Sequence, residues 1–124
     1  PALARTAALC AADDDALSEW THGLLAVSCE ASPAAGEGSL ALVVSEVSGA
    51  PRAVRARALR EVASRAGIRL LSGVHVDALD DLIVAWRGQG PIPLPGGRAT
   101  RVGRGTQARI LFEARSPEPT RDGG

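Results

Sequence analysis

In three segments apolar residues recur at three- and four-residue steps, the last of them reaching Trp86, and thereafter the period changes, a break that marks the passage from helices to a small sheet. Beyond Gly88 the segments are short and punctuated: residues 91–95, a Gly96-Gly97 turn, residues 98–102, a Gly103-Arg104-Gly105 turn, and residues 108–113. Glycine supplies the positive φ that tight turns need, so this spacing predicts an antiparallel meander. The expected fold class is α+β, with a long N-terminal helix and two shorter helices packed against a small antiparallel β-meander.

The first helix is expected over residues 1–31, where Leu3, Ala7, Cys10, Leu17, Trp20, Leu24 and Val27 form one apolar stripe. Only Asp14 breaks it, within the run Asp13, Asp14, Asp15. Side chains consecutive on a helix point about 100° apart, so this acidic run reads as a solvated face rather than a metal site. Pro33, Gly36 and Gly38 make residues 32–39 a loop. Residues 40–47, with the β-branched Val43, Val44 and Val47, read as one strand buried mainly on one face. A second helix begins at Pro51 and closes at Gly67, with Val54, Ala58, Leu59, Val62 and Ala66 as its core stripe. Arg52, Arg57 and Arg60 face away from that stripe, whereas Arg55 falls on it and is expected to pair with an acid of the first helix; snorkelling or reaching a ligand are the alternatives. A third helix is capped by Ser72, carries Val76, Leu79, Leu82, Ile83 and Trp86, and stops at Gly88. His75 and Asp77 in its first turn could form an acid/base pair, but residues i and i+2 do not share a helix face, which favours a structural role. The organisation expected is a linker helix over 1–31, a compact domain over 32–113, and a disordered tail over 114–124.

The chain's 124 residues suffice to bury about two thirds of the unfolded surface. Much of the apolar content is alanine and only Trp20, Trp86 and Phe112 are aromatic, so the core should be thin. No apolar run approaches the ~20 residues of a membrane span, and the reading is of a soluble, cytoplasmic protein with no membrane partner. Cys10 and Cys29, placed in one helix, would stand about 28 Å apart, too far to bridge.

All fourteen basic residues are arginine, and they are unevenly placed. Residues 1–51 hold one Arg against seven acids; residues 52–104 hold ten against four; residues 105–124 hold three against three. A planar guanidinium fork suits phosphate, so the central stretch points to a polyanion, with Arg52, Arg55, Arg57, Arg60, Arg87, Arg98, Arg101 and Arg104 as the candidate contacts. Arg57, Arg60, Arg98, Arg101 and Arg104 are expected to line one phosphate track. A genome that writes Arg for Lys is the competing explanation. Without lysine there can be no P-loop of the GxxxxGK[ST] kind and no Schiff base. His22 and His75 have no nucleophile elbow beside them, the cysteines and histidines lack metal-ligand spacing, and Gly88-Gln89-Gly90 does not extend to a dinucleotide fingerprint. No catalytic residue, metal ligand or cofactor site is expected here.

Residues 75–102, HVDALDDLIVAWRGQGPIPLPGGRATRV, resemble the C-terminal region of bacterial tRNA(Ile)-lysidine synthetases of the actinobacterial type. In those a helix runs into Gly-Gln-Gly and then an LPGG hairpin followed by arginines. Residues 51–67, PRAVRARALREVASRAG, are similar to the family's Arg-rich helix, and residues 2–17, ALARTAALCAADDDAL, to its long helix after the ATP-binding domain. The resemblance implies a non-catalytic, tRNA-binding portion of an enzyme that uses ATP and magnesium to join lysine to the wobble cytidine of the CAU-anticodon isoleucine tRNA. The Ser-Gly-Gly-x-Asp-Ser loop of the family's ATP pyrophosphatase domain has no counterpart in this sequence, so that domain is expected as a missing partner. The competing function is an interaction or homodimerisation module using the apolar stripe of the first helix.

Overall fold

The computed structural model describes residues 2–115, with side chains from Asp13 onward. The tail over 116–124 and the stripe residues Leu3, Ala7 and Cys10 lie outside what is described. The first helix, α1 (Ala2–Ser28), ends three residues before the expected boundary, and strand β1 (Cys29–Ala31) follows directly. Its buried face is not the expected stripe. Thr21, Leu25 and Ser28 are buried, Leu17 and Leu24 are half-buried, and Trp20 and Val27 are 52% and 65% exposed. The discrepancy has a physical cause: the hydroxyls of Thr21 and Ser28 donate to the carbonyls of Leu17 and Leu24, at 2.7 and 2.8 Å. A hydroxyl satisfied inside its own helix can occupy a core position that apolar periodicity passes over. Trp20→Ala should therefore move the thermal midpoint by no more than a surface substitution does, within about 0.5 kcal/mol. A large drop would return Trp20 to the core.

A turn of 3-10 helix at Pro33–Ala35 leads to β2 (Leu40–Val43), antiparallel to β1. The expected strand over 40–47 is cut in half, because Val44–Val47 form a short helix, α2. The Val44 amide bonds to the Ala108 carbonyl at 3.1 Å and the Ser48 amide returns to the Val44 carbonyl at 2.9 Å. Coiling brings Val44 and Val47, three apart, onto one buried face, which an extended strand would have split.

Helix α3 (Arg52–Arg65) begins where the Pro51 carbonyl accepts from the Val54 and Arg55 amides, both at 3.0 Å. It ends in a Schellman motif: Gly67 at φ +92° donates to Ser64, and Ile68 donates to Ala63. Ile68 is thereby tucked into the core at 1% exposure. The expected stripe of Val54, Ala58, Leu59, Val62 and Ala66 is buried. Helix α4 (Gly73–Val84) carries the expected Ser72 cap, and the His75 side chain closes a capping box by accepting from the Ser72 amide at 3.0 Å. Val76, Leu79, Leu82 and Ile83 are buried as expected. The helix stops at Val84 rather than Gly88, since Ala85 has left helical backbone geometry, and Trp86 stands 42% exposed beyond its end.

Strands β3 (Ile92–Leu94), β4 (Gly97–Val102) and β5 (Arg109–Ala114) form the expected meander, and β5 also pairs with β2. The result is a five-stranded antiparallel sheet of order β1-β2-β5-β4-β3. Helices lie against the face bearing Leu42, Ala99, Ile110 and Phe112, which are buried with Leu59, Val62 and Leu82 in one core. The other face carries Arg98, Thr100 and Val102 from β4 opposite Glu113, Leu111 and Arg109 from β5.

Candidate nucleic-acid interface

Helix α3 sits between α1 and α4, so its arginines meet acids from both neighbours. Arg55 is the most deeply placed. Its Nε and Nη2 donate to the two carboxylate oxygens of Asp80 on α4 at 2.7 and 3.0 Å, and its Nη1 to the Ala50 carbonyl at 2.6 Å. The expected partner was an acid of α1. Asp80 faces it instead, from α4 packed against α3, and its side chain is 5% exposed against 12% for Arg55. The Asp80 hydrogen bond raises the Arg55 pKa above its ordinary value, outweighing burial, so the guanidinium stays charged. Arg52 pairs with Asp77 and lies 3.8 Å from Asp80, both its own side chain and that of Asp77 being well exposed. Asp77 therefore pairs with α3 and forms no dyad with His75.

Toward the other end of α3, Arg57 pairs with Asp14 and donates to the Ser18 hydroxyl at 3.2 Å. Arg60 is exposed, donates to the Leu71 carbonyl at 2.8 Å, and has no carboxylate partner among the described residues. It lines two adjoining recesses. One, about 280 Å³, is bounded by Ser18, Thr21, His22, Arg57 and Glu61; the other, about 200 Å³, by Ser64, Ile68, Arg69, Leu70 and Leu71. Arg69 is exposed and likewise has no carboxylate partner among the described residues. Sequence reasoning passed over Arg69 because it follows the helix in a short loop. The signal that points to it is tertiary: the Schellman turn sends the chain back past Arg60, and Leu70 takes a left-handed φ of +63° at 90% exposure.

The hairpin arginines do not join this surface as one track. In β4 Arg98 and Arg101 are three residues apart and so lie on opposite faces of the sheet. Arg98 lies across from Glu113 at 3.4 Å, next to a groove of about 590 Å³ that Arg115 also lines. Arg101 points toward the helices, donates to the Leu82 carbonyl at 2.7 Å and places its guanidinium 5.0 Å from the centre of the Trp86 ring. Arg87 and Arg104 are exposed, Arg87 folding back onto the Ala85 carbonyl at 3.4 Å. Arg109, not among the expected contacts, is held by Glu30 at 2.7 Å.

Residues 42–106, just over half of the chain, match the model of the TilS substrate binding domain. The chain belongs to that family. All eight arginines named from the sequence, and Arg69, fall within the matched residues. The chain is 43% identical over 115 residues to a tRNA(Ile)-lysidine synthase of Thermobifida fusca, covering 91% of this chain and 32% of that protein. It is 44% identical over 99 residues to the enzyme of that name from Salinispora arenicola, covering 77% of this chain and 27% of the relative. For the Streptomyces coelicolor protein of the same name the figures are 39% over 97 residues, 77% and 26%. The chain thus spans about a third or less of the length of these relatives. No solved structure matches it significantly.

Among the described residues no three His, Cys, Asp or Glu side chains converge on a metal position, and no helix is long and apolar enough to cross a membrane. Burial raises the thiol pKa of the half-buried Cys29, with Arg65 pulling the other way, which leaves it a poor nucleophile. Nothing in the comparisons supports the alternative interface on α1, whose buried residues Thr21, Leu25 and Ser28 lie within the chain, with α1 packed against α2 and α3.

Proposed function

We propose that this chain is the tRNA-holding part of a tRNA(Ile)-lysidine synthase, itself without catalytic residues or bound cofactor, and that it grips the phosphate backbone of the CAU-anticodon isoleucine tRNA. The ATP- and magnesium-dependent joining of lysine to the wobble cytidine then belongs to sequence outside this segment, and the whole enzyme acts in the cytoplasm. The observation that carries the reading is the coincidence of the family match over 42–106 with a surface of α3 and the loop after it where Arg60, between Arg57 and Arg69, and Arg69 have no carboxylate partner among the described residues. Backbone contacts position a nucleic acid through charge and shape, and guanidinium forks supply both. Arg87 and Arg104 are secondary contacts in this reading, while Arg98 is paired with Glu113 and Arg52, Arg55 and Arg101 are engaged by the fold.

Fluorescence anisotropy with labelled CAU-anticodon tRNA tests it. Arg60→Ala and Arg69→Ala should each weaken binding by about 0.5–2 kcal/mol, the scale of a charge-assisted contact. Asp14→Ala should act in the opposite direction, because it removes a negative charge and releases Arg57. Unchanged affinity in the arginine variants, or weaker binding in Asp14→Ala, would reject the helical surface as the tRNA site.

A further inference from the structure

Only three aromatic residues occur in the chain, and both tryptophans are on its surface. Trp86 is held there in a specific way. One face of its ring is covered by the Arg101 guanidinium, 5.0 Å from the ring centre, and Arg101 is fixed from behind by its hydrogen bond to the Leu82 carbonyl at the end of α4. The Arg101 Nε is buried without a hydrogen-bond partner among the described residues, and the Nη1 bond to Leu82 is what holds the guanidinium over the ring. The loop that follows is also set. The Arg87 amide donates to the Gln89 side-chain oxygen at 2.6 Å, the Gln89 side-chain nitrogen donates to the Ala85 carbonyl at 3.1 Å, and Gly88 at φ +87° makes the bend. Trp86 keeps 42% of its surface in solvent, and the exposed Arg87 is next to it in the chain.

A partly exposed indole with an arginine over one face, beside a second exposed guanidinium, is suited to an unpaired nucleotide: the base stacks on the ring while its phosphate draws Arg87 from the Ala85 carbonyl. We infer that Trp86 is a stacking platform for an unpaired base of the bound RNA, held flat by Arg101, with Arg87 as the phosphate contact. This rests on the tRNA-binding reading and adds to it a contact to a base where the helical surface supplies contacts to the backbone only.

Trp20→Phe leaves Trp86 as the sole tryptophan, at a position where Trp20 is exposed and the fold is not at stake. In that background, short single-stranded oligoadenylate and CAU-anticodon tRNA should both quench Trp86 emission to saturation, and a fully paired RNA duplex should quench it far less. Trp86→Ala should lose about thirtyfold in oligoadenylate affinity, the middle of the range for one stacked base, whereas Trp86→Phe should keep most of it. If tRNA binds but leaves both Trp86 emission and the affinity of Trp86→Ala unchanged, or if the duplex quenches as fully as the single strand, the platform is overturned and the backbone-binding reading survives. If the unaltered chain binds no tRNA, both are overturned.

Discussion

Asp80→Ala should cost about 3–5 kcal/mol of stability, enough to unfold much of a domain of ordinary stability near physiological temperature. The reason is what it leaves behind. Arg55, 12% exposed, loses both carboxylate oxygens and remains a charged guanidinium facing the α3–α4 contact with only the Ala50 carbonyl to satisfy it. Replacing both partners, as in Arg55→Met with Asp80→Leu, should recover most of the loss, because a buried ion pair is expensive to break and inexpensive to replace by apolar groups of similar volume. Chemical denaturation of the single and double variants measures both effects. An Asp80→Ala variant within about 1 kcal/mol of the parent would mean that the pair is solvated, and would restore Arg55 as a candidate phosphate contact.

Gly97→Val should be the second severe substitution, costing about 3 kcal/mol, at the upper end of overpacking effects. A side-chain Cβ at Gly97 would lie 2.4 Å from the Glu113 carbonyl oxygen on β5 and 2.8 Å from Cγ1 of Ile68. Ile68 cannot move aside easily, since the Schellman turn after α3 fixes its backbone and the core surrounds its side chain. Strand propensity alone gives the opposite sign, because valine is among the best strand formers and glycine among the poorest. Thermal unfolding decides between them: a midpoint equal to or above the parent's would show that β4 and β5 do not approach this closely.

Much of the helical framework was legible because its signals are local. Pro51, Gly67 and Ser72 act within a few residues of themselves, and α3 and α4 begin where they indicate. The sheet was half legible: glycine turns revealed β3, β4 and β5, but nothing local says that β5 also pairs with β2, or that Val44 leaves its strand to reach Ala108. The register of α1 was misread because Thr21 and Ser28 bury hydroxyls satisfied by their own helix. For the candidate site the arginines themselves are plain in the sequence, but their availability is not. Whether a guanidinium is free depends on carboxylates from other elements: Asp14 for Arg57, Asp80 for Arg55, Glu113 for Arg98. Arg60 and Arg69 stand out only once α3 and the loop after it have been placed side by side.

The salt dependence of tRNA affinity is the most direct test of where the nucleic acid lies, because each neutralised phosphate contact releases counterions and contributes somewhat under one unit to the log–log slope. Arg60→Ala and Arg69→Ala should each flatten that slope by such an amount. Arg98→Ala and Arg109→Ala, paired with Glu113 and Glu30 on the sheet face away from the helices, should leave it nearly unchanged. Equal changes in all four would reduce the basic stretch to a compositional habit, and a slope that responds only to Arg98 and Arg109 would place the tRNA on the opposite side of the molecule.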